Sequence, residues 1–176
     1  MVRGTAHPNK SFCPGNHDTS LEKGLLTRDL VESQGINLLI NEERTIEGLR
    51  FWGSPFTPRY GGWAYMKDRG TINRLWDNIP EALDVLITHG PPYGVLDATY
   101  DHHNKVELVG CSALRKRVAK VPPRFMLFGH VHSTHDIRNT GTRTVSGLST
   151  IFSNGSCCDD GRMAEVTSHG NILEVV

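Results

Sequence analysis

Short apolar runs closed by Gly or Pro recur along this chain and alternate with stretches of helical spacing. Val85-Leu86-Ile87 and Phe125-Met126-Leu127-Phe128 are continuous apolar runs, the pattern of strands covered on both faces. Ser11-Phe12-Cys13 is a weaker run of the same kind. Leu38-Leu39-Ile40, Thr45-Ile46 and residues 49–53 read as short strands or a hairpin. Over 19–33 the apolar residues Leu21, Leu25, Leu26, Leu30 and Val31 repeat at helical spacing. Thr19 or Ser20 caps this expected helix, Glu22 sits in its first turn and Gly35 stops it. A shorter helix is expected over 71–79, ended by Pro80, and another over 110–121, with Leu114, Val118 and Val121 on one face. Residues 54–63 read as a loop rich in Pro, Gly and aromatics, and 91–104 as a long polar loop. After Asp136 the pattern turns to hairpins, at Ile137 and over 142–145, 150–153, 163–166 and 172–176. An α/β front with a β-rich tail predicts a layered α/β fold with mixed sheets.

Composition narrows the class. At 176 residues the expectation is a single domain over 1–176 with a real core. Nineteen basic residues balance 19 acidic ones, so no net field recruits nucleic acid or an anionic membrane. No apolar stretch approaches the roughly 20 residues that span a bilayer. The N-terminal residues Met1 to Pro8 have no apolar core of a signal peptide, and a cytoplasmic location is the default expectation. None of the four cysteines, Cys13, Cys111, Cys157 and Cys158, forms a C-x-x-C pair, which reads as reduced thiols. Arg115-Lys116-Arg117 with Lys120 reads as a solvated helix face whose charge suits the helix C-terminus. The aromatics Trp52, Phe56, Tyr60, Trp63 and Tyr65 read first as packing residues, with base stacking as the alternative.

Nine histidines are many for this length, and their placement matters more than their number. Three motifs follow apolar runs in turn: Gly15-Asn16-His17-Asp18, Thr88-His89-Gly90-Pro91-Pro92 and Gly129-His130-Val131-His132. In open α/β sheets, ligand groups gather just past the carboxyl ends of strands. Three strands would thus bring one amide and four imidazoles to one rim, the composition of a metal site. For His89 alone, a core histidine bonded to a carbonyl is the competing reading. Gly90 permits a sharp departure, and the two prolines fix the exit path. His130 and His132 sit at i and i+2, on one face of an extended segment. Asn16 offers a hard oxygen. His17 is the candidate general acid, with Asp18 holding its second ring nitrogen. The competing reading of Asp18 or Thr19 is a helix N-cap.

In this order the motifs resemble those of the calcineurin-like metallophosphoesterases, with G-N-H-[DE], a His after a strand, and G-H-x-H. Trp52-Gly53-Ser54-Pro55, residues 75–80, Gly110-Cys111 and residues 152–156 resemble the brain-type metallophosphoesterase-domain subgroup in particular. The resemblance implies a four-layer α/β/β/α sandwich with two mixed sheets. It implies one or two divalent ions (Mn, Fe, Mg or Zn) and hydrolysis of a phosphoester, with a nucleotide-like phosphodiester as the substrate class. By motif position Asn16, His89 and His130 would hold one ion, His132 the other, and His17 would protonate the leaving group. The two earlier motifs of that family, D-x-H and G-D-x-x-D, are absent, and the first aspartate here is Asp18. The expectation is therefore a domain lacking its first strand unit, with a partner covering the sheet edge left open. The alternative is a degenerate relative or fragment acting as a one-metal binding or scaffold module. Asp97, Asp101, His102 and His103 follow His89 closely enough to be weighed as stand-in ligands. His102 and His103, with Asn154, are also candidate substrate-binding residues.

Overall fold

The structure is a computed structural model that describes residues 9–159 and 165–174. The first half of the chain forms β1 (Lys10–Phe12), α1 (Thr19–Glu22), α2 (Arg28–Glu32), β2 (Ile36–Leu38), β3 (Glu42–Ile46), β4 (Leu49–Ser54), β5 (Thr57–Pro58), β6 (Met66–Lys67) and α3 (Asn73–Trp76). The second half adds β7 (Val85–Thr88), β8 (Ala98–Tyr100), β9 (Val106–Leu108), α4 (Ser112–Lys120), β10 (Phe125–Phe128), β11 (Gly141–Thr144) and β12 (Ile151–Asn154).

The main sheet is six-stranded and mixed, in the order β11-β12-β10-β7-β4-β3. Its four inner strands run parallel, and the edge strands β11 and β3 run antiparallel to their neighbours. The fold is thus α/β with a mixed sheet, as the apolar pattern predicts. The apolar runs are the inner strands because crossover elements cover the sheet there. Leu86, Met126 and Phe152 are completely buried and join Trp52, Trp76, Leu114 and Val118 in the core. Register aligns Phe51 and Phe125 with Val85 on either side. Ser54, Thr88, Phe128 and Asn154 consequently end together at the carboxyl edge of the sheet. Edge strand β3 carries Glu42, Glu43 and Arg44, charges that discourage further pairing.

A parallel pair, β1 with β2, forms a second, small sheet. Leu38 and Leu39 at the end of β2 are fully buried. Gly53 admits Leu39 against β4, since a Cβ there would lie 2.4 Å from the Leu39 Cβ. This contact docks the small sheet and so fixes where the turn after β1 emerges.

Some expected elements take another form. The single helix expected over 19–33 is two helices, because Gly24 adopts φ +69° and ends α1. Leu25 N–H bonds the Ser20 carbonyl (2.8 Å) and Gly24 N–H the Leu21 carbonyl (3.1 Å), a Schellman stop. Leu25 and Leu30, counted as one apolar face, are 79% and 55% exposed. The loops expected over 54–63 and 91–104 contribute two ribbons, β5 with β6 and β8 with β9. Thr142 and Ser153 pair in the β11–β12 ladder, close to the expected tail strands. Of the expected 163–166 hairpin, residues 163 and 164 lie outside the described residues, and Val166 bridges Cys158. Residues 172–174 carry no strand, and 175–176 lie outside the described residues. Among the described residues no helix is long and apolar enough to cross a membrane.

Candidate metal centre

The second and third motifs leave β7 and β10 at the carboxyl edge of the main sheet, and the first follows the end of β1 in the small sheet. The first follows β1 after a tight turn in which the Asp18 N–H bonds the Gly15 carbonyl (3.0 Å). The Asp18 carboxylate accepts from the Gly15 N–H at 2.7 Å and closes the same turn. That bond commits Oδ2 of the carboxylate to the turn. No hydrogen bond joins Asp18 to His17, and Asp18 makes no side-chain cap on α1. The second motif is held on both sides: His89 N–H bonds the Ser54 carbonyl (3.1 Å), and its carbonyl accepts from Gly129 N–H (3.0 Å). The third leaves β10, with His130 in the left-handed region at φ 72°. A non-glycine residue there is uncommon and has to be held by its surroundings.

Two buried asparagines hold it. Asn154 Nδ2 donates to the Val131 carbonyl (3.0 Å) and to the Leu96 carbonyl (3.3 Å), while its Oδ1 accepts from Ser156 N–H. Asn139 Nδ2 donates to the His132 and Ala98 carbonyls, both at 2.7 Å, and its Oδ1 accepts from Ala98 N–H. The backbone around His130 is thus tied to β8 and to the end of β12.

The side chains converge. Asn16 Oδ1 lies 2.7 Å from His89 Nε2. The His89 and His130 rings are 4.6 Å apart. Tyr60 lies over His130 at 5.4 Å, and its phenol oxygen accepts from Asn16 Nδ2 at 2.9 Å. The closeness of Asn16 to His89 requires Gly15, because a Cβ there would lie 2.2 Å from the His89 ring. Cys13 Sγ, from the end of β1, reaches the Ile87 carbonyl at 3.9 Å and ties this turn to β7. Burial raises the Cys13 thiol, which keeps it protonated and inert. His17 stands at the lip of the site, edge-on to Trp63 at 4.9 Å. His132 turns Nδ1 to the Asp159 carbonyl (2.7 Å), leaving Nε2 for another partner, the arrangement common among metal-binding imidazoles.

Burial, with His130 and the other imidazoles near, pushes His89 down to about 3. Burial and the His132 and His17 charges push His130 down to about 4. Both rings are therefore neutral at pH 7, the state that binds a cation. Among the described residues no three His, Cys, Asp or Glu side chains close on one point. The convergent set is an amide oxygen with imidazoles, and no carboxylate joins it.

These residues floor a cleft of about 830 Å³. Asn16, His17, His89, His130 and His132 all line it. His102 and His103 do not: they are exposed on the connection between β8 and β9, with their rings 4.0 Å apart and tilted at 46°. Asn154 is fully buried and touches the backbone of the third motif rather than the cleft. Asp97 is spent on the Gly94 and Gly110 N–H groups (2.9 and 3.0 Å), and Asp101 on its own turn. Tyr60 and Asn139 are the supporting residues that sequence reasoning did not assign to the site. Tyr60 was legible only as an aromatic in a loop, and nothing in the sequence marks Asn139.

No protein-family model matches the chain. Curated relatives do. Metallophosphoesterase domain-containing protein 1 of Homo sapiens is 40% identical over 113 residues, covering 63% of this chain and 34% of that protein. Two UPF0046 proteins of Caenorhabditis elegans are 31% and 32% identical over 90% and 87% of this chain, and 55% and 57% of their own lengths. This chain thus spans about a third to just over half the length of these relatives. One solved structure, 18% identical, superimposes with a TM-score of 0.59 over 82% of this chain and 56% of that one, a likeness of fold. The ordered motifs, the fold and these relatives agree: the chain is a relative of the metallophosphoesterase-domain proteins.

Proposed function

We propose that this chain is a metal-dependent phosphoester hydrolase acting on a nucleotide-like phosphodiester. The contact between Asn16 Oδ1 and His89 Nε2, 2.7 Å apart beside His130, carries the reading. Adjacent ligands on an octahedral ion with bonds of about 2.1 Å stand about 3 Å apart. The two atoms thus already have the spacing of neighbouring ligands, with a proton now between them. The donor set of one amide and two imidazoles suits Mn²⁺, Fe²⁺, Zn²⁺ or, less well, Mg²⁺. Asn16, His89 and His130 would hold this ion, and His132 would hold a second through Nε2. A bound ion would polarise the phosphoryl group and supply a nucleophile at neutral pH.

The chain's own residues divide the remaining work. Tyr60 holds the Asn16 amide so that its oxygen faces His89. Asn139 and Asn154 fix the backbone that aims His130 and His132. His17, exposed at the lip and free of Asp18, gives its proton to the departing oxygen. Asp18 acts on the turn, not on the proton. His102, His103 and Asn154 have no contact with substrate in this reading.

A second reading rests on the same geometry. Among the described residues His132 alone is assigned to a second ion in this reading, which favours a one-metal binding module without turnover. Hydrolysis of bis(p-nitrophenyl) phosphate decides between them. The hydrolase reading expects turnover with Mn²⁺ that vanishes with chelator and in His89→Ala and Asn16→Ala. Folded wild-type protein that binds Mn²⁺ and shows no turnover would establish the second reading instead.

A further inference from the structure

Beside the imidazoles, the segment from β5 to Arg69 also lines the cleft, and among the described residues it holds hydrogen-bond donors without acceptors. Arg69 lines the cleft and donates to the Gly110 carbonyl (3.2 Å) and the Val109 carbonyl (3.0 Å). Two of its five N–H groups are thus used and three are left. Among the described residues no carboxylate forms an ion pair with it, although Glu107 lines the same cleft. Its sequence neighbour Asp68 is taken by Arg59, at 2.7 Å. Arg69 is the only Lys or Arg among the residues that line this cleft. Tyr60 accepts from Asn16, so its own O–H has no acceptor among the described residues. Thr57 is 2% exposed, and its hydroxyl has no partner among the described residues. Its methyl packs at Gly90, where a Cβ would lie 2.8 Å from it and 3.7 Å from the His130 ring. A rotation about χ1 exchanges that methyl with the hydroxyl.

A buried, unpartnered hydroxyl costs stability, and a fold optimised for stability alone would carry Val at this position. An unpaired guanidinium held in place by two carbonyls is likewise preorganised for an oxyanion, whose two oxygens it matches in a fork. We propose that Arg69, Thr57 and Tyr60 form an anion-recognising wall that takes the non-bridging oxygens of an organic phosphate while its reacting face meets the imidazoles. The inference rests on the phosphoester reading above. It adds the residues that would grip the substrate independently of any ion. Pro91 and Leu108, also in the lining, offer the organic group an apolar surface.

The test is calorimetric titration of the folded chain with inorganic phosphate, with and without Mn²⁺, alongside KM for bis(p-nitrophenyl) phosphate. Arg69→Ala should weaken phosphate binding about tenfold or more, with Mn²⁺ affinity unmoved and the melting temperature lowered only slightly by loss of its two carbonyl bonds. Arg69→Lys should regain part of that loss. Thr57→Val should weaken phosphate and raise the melting temperature, a pair of effects that a purely structural threonine would not give. Phosphate binding equal to wild type in both Arg69→Ala and Thr57→Val would overturn the wall, as would wild-type protein that binds no phosphate. The two readings separate cleanly. Arg69-dependent phosphate binding without turnover would remove the hydrolase and leave the wall. Mn²⁺-dependent turnover with an unchanged KM in Arg69→Ala would remove the wall and leave the hydrolase.

Discussion

Gly15→Ala adds a single methyl group at the point where the first and second motifs touch. Its Cβ would lie 2.2, 2.4 and 2.6 Å from three atoms of the His89 ring, where ordinary contact begins near 3.4 Å. The backbone φ of Gly15 is not in the left-handed region, so the cost is steric alone. Either the ring or the turn must retreat by about 1.2 Å. His89 is pinned through its backbone to Ser54 and Gly129, and Asn16 through its carbonyl to Ala64 N–H (3.1 Å). The retreat therefore breaks the 2.7 Å spacing between Asn16 Oδ1 and His89 Nε2. Ligand misplacement of about 1 Å costs on the order of 100-fold in activity, and disturbance of supporting residues costs roughly 10–100-fold in metal affinity. We expect Gly15→Ala to lower Mn²⁺ affinity at least tenfold while the far-ultraviolet circular dichroism stays that of wild type. The assay is calorimetric Mn²⁺ titration on protein of verified fold. A Gly15→Ala protein that binds Mn²⁺ like wild type would mean that Asn16 and His89 do not act on one ion.

Three further outcomes follow from particular contacts. Tyr60→Phe keeps the ring over His130 and removes the acceptor of Asn16 Nδ2. Mn²⁺ affinity should fall about tenfold by titration, with the melting temperature lowered only slightly. Gly53→Ala forces a methyl to 2.4 Å from the Leu39 Cβ between β4 and the end of β2, and should cost about 1–3 kcal/mol in chemical denaturation. His89 and His130 titrate near 3 and 4 in the folded chain, against about 6.5 unfolded. Between those values the unfolded chain binds more protons, so stability of the metal-free protein rises with pH across that window. Melting temperature should therefore drop as pH falls from 6.5 to 4, and His89→Ala should flatten the dependence.

How far the sequence carried depended on the range of the interactions involved. Val85–Thr88 and Phe125–Phe128 were legible because strands covered on both faces leave unbroken apolar runs. Helix α4 was legible from the spacing of Leu114 and Val118, both buried. The 19–33 segment misled because its leucines keep helical spacing while Gly24 breaks the backbone, and a glycine can be tolerated inside a helix. The β8–β9 ribbon escaped because Val106, Glu107 and Leu108 are all exposed and show no alternation of burial. The positions of Asn16, His89 and His130 at one rim followed from strand ends alone. The bond from Asp18 to its own turn, and the grip of Asn139 and Asn154 on the third motif, did not. These depend on where a buried polar group finds its partner in three dimensions, which spacing along the chain does not encode.

The proposed assignment of Asn16, His89 and His130 to one ion is open to Mn²⁺ titration of single variants. Wild type, Asn16→Ala, His89→Ala, His130→Ala and the double variant His102→Ala/His103→Ala would be titrated at pH 7 by calorimetry. Each of the three single variants should lose the tight Mn²⁺ site, and the double variant should bind like wild type. Loss of binding in the double variant, with Asn16→Ala and His89→Ala unaffected, would contradict the assignment and move the metal to the hairpin.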